Sequence, residues 1–213
     1  MIAAHQTMLA PQGAPLPYDA EVEYLESTGT QYVDTGVKPD DTTVFSAEGL
    51  FDYAASATRF GTRDSFKVAS FTFLSVSRGF RSSIGSGSDS VVNSFFETKK
   101  NAKTIELDGP GRAGRAVFVD GTNESATSAT SGTAFSCSHS FLLFAFNDGG
   151  TVILATGSRI SACTIVKSGV LLRDFIPVRV GSGSSAVGYL YDRVSGTLFG
   201  NAGTGAFTIG PDK

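Results

Sequence analysis

The sequence predicts an all-β protein: a two-sheet antiparallel β-sandwich over residues 21–213, preceded by an extended arm at residues 1–20. Three observations carry that expectation. The first is composition, with 25 Gly, 17 Phe, 6 Tyr and no Trp. Aromatic and β-branched residues suit a pleated, half-buried surface, and Gly and Ser mark the turns between strands. The second is period-two alternation, plainest in Thr43–Tyr53, where Phe45, Ala47, Gly49 and Phe51 share one face. The third is length: 213 residues suit one all-β domain and suffice to bury a core without staples. No internal repeat and no second domain boundary is visible.

Residues 1–20 hold Pro11, Gly13, Pro15 and Pro17 among small residues, which favours extended chain over a core element. A first strand is expected at Val22–Leu25 and a second at Gln31–Val37, with Ser27-Thr-Gly29 turning between them and Lys38-Pro-Asp-Asp41 as the next loop. After Thr43–Tyr53 come strands at Phe60–Arg63, Phe66–Ser77 and Phe80–Ile84, then a polar loop at Ser86–Ser90. Phe71 and Phe73 lie opposite Thr72, Leu74 and Val76. Lys99, Lys100 and Lys103 suggest a solvated sheet edge guarded by lysines. Thr104–Leu107 is a strand, Asp108–Arg115 a turn, and Ala116–Asp120 a strand running into Gly121. Residues 122–134, rich in Ser, Thr and Ala, should form a surface loop.

Phe141–Phe146 is six apolar residues in a row, so it has no solvent face and should be a central or doubly covered strand. Asn147–Gly150 turns from it to a short strand at Val152–Ala155. Arg159–Lys167 alternates, with Ile160, Ala162, Thr164 and Val166 opposite Cys163 and Ile165. Lys167-Ser-Gly169 turns into a strand expected to end at Pro177. A Gly/Ser loop then leads to a hairpin of Gly188–Asp192 and Thr197–Phe199, and Asn201–Gly210 closes the chain. The count is roughly a dozen strands, which suits two packed antiparallel sheets.

Net charge is −3, the isoelectric point is near 5.4, and no basic stripe appears, which argues against a nucleic-acid role. No run approaches the ~20 apolar residues of a membrane span. The opening MIAAHQTMLAPQGAPLP lacks the positive start and long apolar centre of a secretory signal. Cys137 and Cys163 are compatible with one disulfide or with two buried thiols. Together with His5 and His139 they do not make a zinc pattern.

Four segments carry a family resemblance: Val22-Glu-Tyr-Leu-Glu-Ser-Thr-Gly-Thr-Gln-Tyr-Val-Asp-Thr-Gly36, Arg173-Asp-Phe-Ile-Pro-Val178, Tyr189-Leu-Tyr-Asp-Arg-Val-Ser-Gly196 and Asn201-Ala-Gly-Thr-Gly-Ala-Phe207. In that order, across about residues 20 to 210, they resemble the concanavalin A-like (LamG-type) lectin and glucanase domains. Such domains recur in surface proteins of gut bacteria and in structural proteins of their phages. The resemblance implies a jelly-roll sandwich and admits lectins, adhesion modules, spacers and some glycosidases, because one fold hosts many functions.

Several chemistries are readable on paper. Glycoside cleavage needs two carboxylates across a sugar, and glucanases of this fold usually carry two Glu on one strand. No such array is present; Glu21, Glu23 and Glu26 cluster near the start, while Glu48 and Glu106 are isolated within strands. Asp34-Thr35-Gly36 mimics an aspartic-protease triplet, but that chemistry needs two carboxylates sharing a proton and only one triplet exists. His139, flanked by Ser138 and Ser140, lacks any nucleophile-elbow context. The glycines of 108–115 lack the Gly-Lys-Ser/Thr ending of a phosphate loop. No catalytic residue and no metal ligand is assigned.

The candidate ligand-binding residues are Tyr32, Asp40, Asp41, Arg63, Asn147 and Asp148. Sugar-binding relatives often hold calcium through Asp and Asn on rim loops, which makes Asp40, Asp41, Asn147 and Asp148 the loop candidates, although turn-forming Asp and Asn read the same way. No cofactor is expected. With Trp absent, Tyr32, Tyr53, Tyr189 and Tyr191 are the aromatic candidates for stacking on sugar.

The expectation is a non-catalytic phage virion protein, fibre or decoration, or a bacterial surface protein, whose lectin-like sandwich binds a host glycan or glycoprotein. Residues 1–20 would attach it to other virion or surface proteins. The alternatives are a spacer with no ligand and, third, a glycoside hydrolase of the same fold. A homotrimer is expected only by analogy with fibres. With no heptad stalk, it would form through sandwich faces or the arm.

Overall fold

The computed structural model describes residues 15–51, 59–65, 68–76, 79–85, 91–94, 102–109, 116–124, 134–154 and 158–213. The expectations for residues 1–14, including His5, and for Tyr53, Ser86–Ser90, Lys99, Lys100, 110–115 and 125–133 lie outside these residues.

The strands in chain order are β1 (Ala20–Glu21), β2 (Leu25–Glu26), β3 (Val33–Asp34), β4 (Thr43–Phe51), β5 (Arg59–Ser65), β6 (Ala69–Val76) and β7 (Gly79–Gly85). They continue with β8 (Val91–Ser94), β9 (Ala102–Asp108), β10 (Ala116–Val119), β11 (Thr122–Asn123), β12 (Leu142–Leu143) and β13 (Ala145–Asp148). The last are β14 (Thr151–Leu154), β15 (Arg159–Lys167), β16 (Val170–Val180), β17 (Val187–Asp192), β18 (Thr197–Phe199) and β19 (Thr208–Ile209). They form two packed sheets. The large sheet runs β11-β10-β9-β4-β15-β16-β17-β18, with β1 on β16 and with β2 joining β15 and β19. The small sheet runs β14-β13-β5-β6-β7-β8, with β12 linking β3 and β5. The protein is therefore an all-β sandwich.

Phenylalanine fills the space between the sheets. Phe45 of β4 meets Phe60 of β5 at 5.8 Å and Phe141 at 4.7 Å between ring centroids. Phe51 meets Phe60 edge-on at 5.5 Å, and Phe141 meets Phe71 at 5.7 Å. Phe144 joins Phe60 to Phe207. All but Phe207 are at most 1 % exposed. The tilted and edge-on geometries are those that aromatic quadrupoles favour.

Three two-residue turns, Asp120-Gly121, Gly149-Gly150 and Ser168-Gly169, close hairpins with both residues at positive φ. This mirror-image turn matches the right-handed twist of the flanking strands.

The structure departs from the sequence-based expectation at several places, among them Ile160, which a register shift before Ala162 turns into the core with Cys163 and Ile165, and Val22–Leu25, where only Leu25 lies in a strand. Phe141–Phe146 is buried throughout but is not one strand. It breaks at Phe144, whose φ of 63° is costly for a bulky residue and is held by the packed ring. Leu142 consequently meets Gly61 in antiparallel register, and Phe146 meets the same glycine in parallel register. β13 with β5 is the one parallel pairing among the described strands. Within Gln31–Val37 only Val33–Asp34 is strand, because side chains satisfy the neighbouring backbone: Tyr32 N–H donates to Asn201 Oδ1 and Val37 N–H to Thr35 Oγ1.

β16 does not stop at Pro177 but continues to Val180. Val22 N–H donates to the Pro177 carbonyl, so the side of Pro177 that lacks a donor faces the short N-terminal segment, while the other side stays free to pair with β17. Lys103 is not on an edge strand. It lies on β9, with β4 on one side and the Asp120 turn on the other, where Asp120 Oδ1 accepts from Lys103 N–H.

The chain joins the large sheet at Tyr18 and Asp19. Asp19 N–H donates to Arg179 O, and Tyr18 packs edge-on against Tyr191 at 5.0 Å. Asp192, fully buried, organises the closing hairpin. Its carboxylate accepts from Asp174 N–H (2.9 Å), Val194 N–H (3.2 Å) and Ser195 Oγ (2.7 Å), with Arg173 Nη1 at 3.6 Å. Replacing Asp192 by Ala strands these donors and should destabilise by about 3 kcal/mol. Denaturant unfolding checks this; a loss below about 1 kcal/mol would count against the role assigned to Asp192.

Candidate functional site

Strand alternation sends every second residue of the large sheet away from the core. Cys163 pairs with Ala47 and Phe175, all three buried, so the neighbouring positions Ser46, Thr164 and Asp174 face outward. Registry then builds two rows across four strands. One is Thr164–Ser46–Glu106–Phe118, and the other is Ala162–Glu48–Thr104. These residues line a groove of about 330 Å³ on the outer face. That is at the small end of the ~300–1,000 Å³ of ordinary ligand sites.

The floor carries hydroxyls, two carboxylates and one aromatic ring. Glu48 is exposed and makes no hydrogen bond or ion pair with any described residue, while Glu106 is half-buried and accepts from Ser46 Oγ at 3.4 Å. Glu48 and Glu106 are diagonal neighbours on adjacent strands, a placement that separates backbones by ~7–8 Å. Sequence reasoning left them isolated because only the β4–β9 register joins them. Their outward alternation was the available signal.

The residues singled out from sequence fall in other places. Arg63 and Asp148 form a bidentate pair at 2.6 and 2.7 Å beside the Gly149–Gly150 turn, with Arg63 over the Phe146 ring. That pairing holds the Asp148 carboxyl below its ordinary pKa. Asn147 Oδ1 accepts from Gly150 N–H. Asp40 accepts from Thr42 and Thr43 and pairs with Lys167 at 2.9 Å. Its net pKa is lowered, burial opposing the bonds from Thr42 and Lys167. Asp41 N–H donates to Phe135 O. Tyr32 stands apart from all of these: its N–H bonds Asn201 Oδ1, and its carbonyl accepts from Ala202 N–H. The structure thus brings Arg63, Asn147 and Asp148 together at one turn. Among the described residues, no group of three or more His, Cys, Asp or Glu is placed to hold a metal.

Next to that turn, Asp64 Oδ1 lies 2.9 Å from His139 Nδ1, and both its oxygens accept from Ser138 N–H. Ser138 Oγ approaches the same Nδ1 at 3.2 Å. A nucleophile relay needs serine and carboxylate on opposite ring nitrogens; here both use one, so the arrangement is a clasp between β5 and the loop before β12. The Asp34-Thr35-Gly36 triplet is also structural: Thr35 Oγ1 donates to Phe141 O at 2.7 Å, and Asp34 Oδ1 accepts from Gly36 N–H.

The fold and groove define a two-sheet β-sandwich with a polar cleft on the outer face of its larger sheet. Neither a search of family models nor a search of curated proteins matches the chain.

Asp64's net pKa is depressed, burial opposing the bonds from His139 and Ser138. Its stabilising contribution is therefore present above the ordinary carboxylate pKa and fades as pH falls through the depressed folded value. Wild type should exceed Asp64→Asn by about 1 kcal/mol near pH 5, with the gap closing as pH falls below the ordinary carboxylate range. Chemical denaturation across that range reads it; a gap that persists in acid would refute the clasp. Cys137 and Cys163 are free and buried, and burial raises both thiols, Cys137 to about 12. Neither should react with an aromatic disulfide reagent at about pH 8 until the protein unfolds, because the thiolate is the reacting form. Labelling of the folded protein would contradict the burial.

Proposed function

We propose that this protein is a non-catalytic carbohydrate-binding sandwich of a phage virion, as a fibre or decoration, or of a bacterial surface, and that its ligand is a host-surface glycan held in the outer groove. The observation that carries this reading is the groove itself. Hydroxyls from three strands, two carboxylates and the Phe118 ring line one concave face, and a sugar ring offers matching hydroxyl edges and apolar faces. The resemblance to lectin-type sandwiches supports the same ligand class.

Attachment to a larger assembly would run through the N-terminal segment. Tyr18 covers a second apolar cluster of Ile176, Val178 and Tyr191 on the same outer face of the large sheet. Homotrimer formation belongs to this reading by analogy alone.

Glu48 and Glu106 also favour a second reading, glycoside hydrolysis, because paired carboxylates about 5–10 Å apart serve that chemistry. A reducing-sugar assay on any oligosaccharide that binds separates the two: turnover makes the protein a hydrolase, and binding without turnover leaves it a lectin-like module.

A glycan array followed by titration calorimetry tests the groove. Ala162→Arg, which fills the floor from an outward position, should weaken binding at least about tenfold while leaving the melting temperature within a few degrees. Array hits whose affinity is untouched by Ala162→Arg would move the site elsewhere, and an array without hits would favour the spacer.

A further inference from the structure

The groove's charge says which saccharides suit it. Glu48 stands on the floor exposed and without an ion pair or hydrogen bond among the described residues, flanked in register by Thr104 on β9 and Ala162 on β15. Glu106 adds a second carboxylate on the neighbouring strand, and Ser46 already donates one bond to it. No Lys, Arg or His occurs among the described residues lining the groove. Arg193, next to Asp174 along the same face, is held bidentately by that carboxylate at 2.8 and 3.0 Å.

An anionic sugar would meet two carboxylates here, with no basic side chain among the described lining residues to offset them. A neutral sugar would offer Glu48 hydroxyl donors but no charge to balance its own. A protonated amine satisfies Glu48 with a charge-assisted bond. We infer that the groove selects saccharides carrying a free, protonated amine, of the hexosamine type, with Glu48 as the principal acceptor and Glu106 beside it. Thr104 and Thr164 then address the sugar hydroxyls, and Phe118 flanks the ring's apolar face.

This inference rests on the groove being a saccharide site, and the experiment separates the two. Isotope-labelled full-length protein is titrated near pH 5.5, where the amine is protonated, with three probes: a glucosamine tetramer, its N-acetylated counterpart and a galacturonate tetramer. Amide shifts of Thr104, Glu106 and Thr164 report groove occupancy. The glucosamine tetramer should bind about tenfold or more tighter than the N-acetylated one, the galacturonate should not bind, and the preference should shrink to about twofold in Glu48→Gln or at about 0.5 M salt. Equal or tighter binding of the N-acetylated or galacturonate tetramer overturns the charge selection and leaves the saccharide site standing. Failure of all three probes to move the groove amides overturns both. Glu48 is exposed, so Glu48→Gln is expected to fold as the wild type does.

Discussion

The structure depends on keeping phenylalanine rings interlocked between two twisted sheets. Phe45 and Phe51 descend from the large sheet and Phe60 and Phe71 rise from the small one, with Phe141 and Phe144 wedged between them. Each ring buries a large apolar area and adds a preferred edge geometry, so these contacts supply both stability and the alignment of the sheets. The demand is strong enough to hold Phe144 at positive φ and to break an apolar run that would otherwise pair as one strand. Local backbone preference yields there because the ring sits in a cage that leaves no alternative place for it.

The sequence's most conspicuous motifs serve closure. Asp192 sits under the closing hairpin and gathers donors from β16 and from its own turn. Asn201 stitches the last loop to the opening segment: its side chain accepts from Tyr32 and Gly203 and donates to Thr204 and Gly205. Gly203 permits that approach, since a Cβ there would lie 2.0 Å from the Thr30 carbonyl oxygen. Thr30–Tyr32 and Asn201–Gly205 are therefore one structural unit, and their polar groups are spent on each other.

The open surface chemistry lies on β4, β9, β10 and β15, in stretches that carry no motif. Ser46, Glu48, Thr104, Glu106 and Thr164 are ordinary outward positions of alternating strands. They became candidates only as a group. Arg63, Asn147 and Asp148 show the opposite case, because they stand out in sequence and the fold uses them to hold the Gly149–Gly150 turn.

By itself the sequence determined the all-β class, the alternation of β4 and of β15 from Ala162 to Val166, the burial of Phe141–Phe146 and the turns at Gly121, Gly149–Gly150 and Gly169. These follow from short-range physics: side chains alternate with period two, and glycine tolerates positive φ. Tertiary structure alone decided the β4–β9 register that unites Glu48 with Glu106, the parallel pairing of β13 with β5, the run of β16 through Pro177 and the sharing of one His139 nitrogen by Ser138 and Asp64. Each depends on which strand lies beside which and at what offset. That choice is made by the packing of the whole core, and no local pattern encodes it.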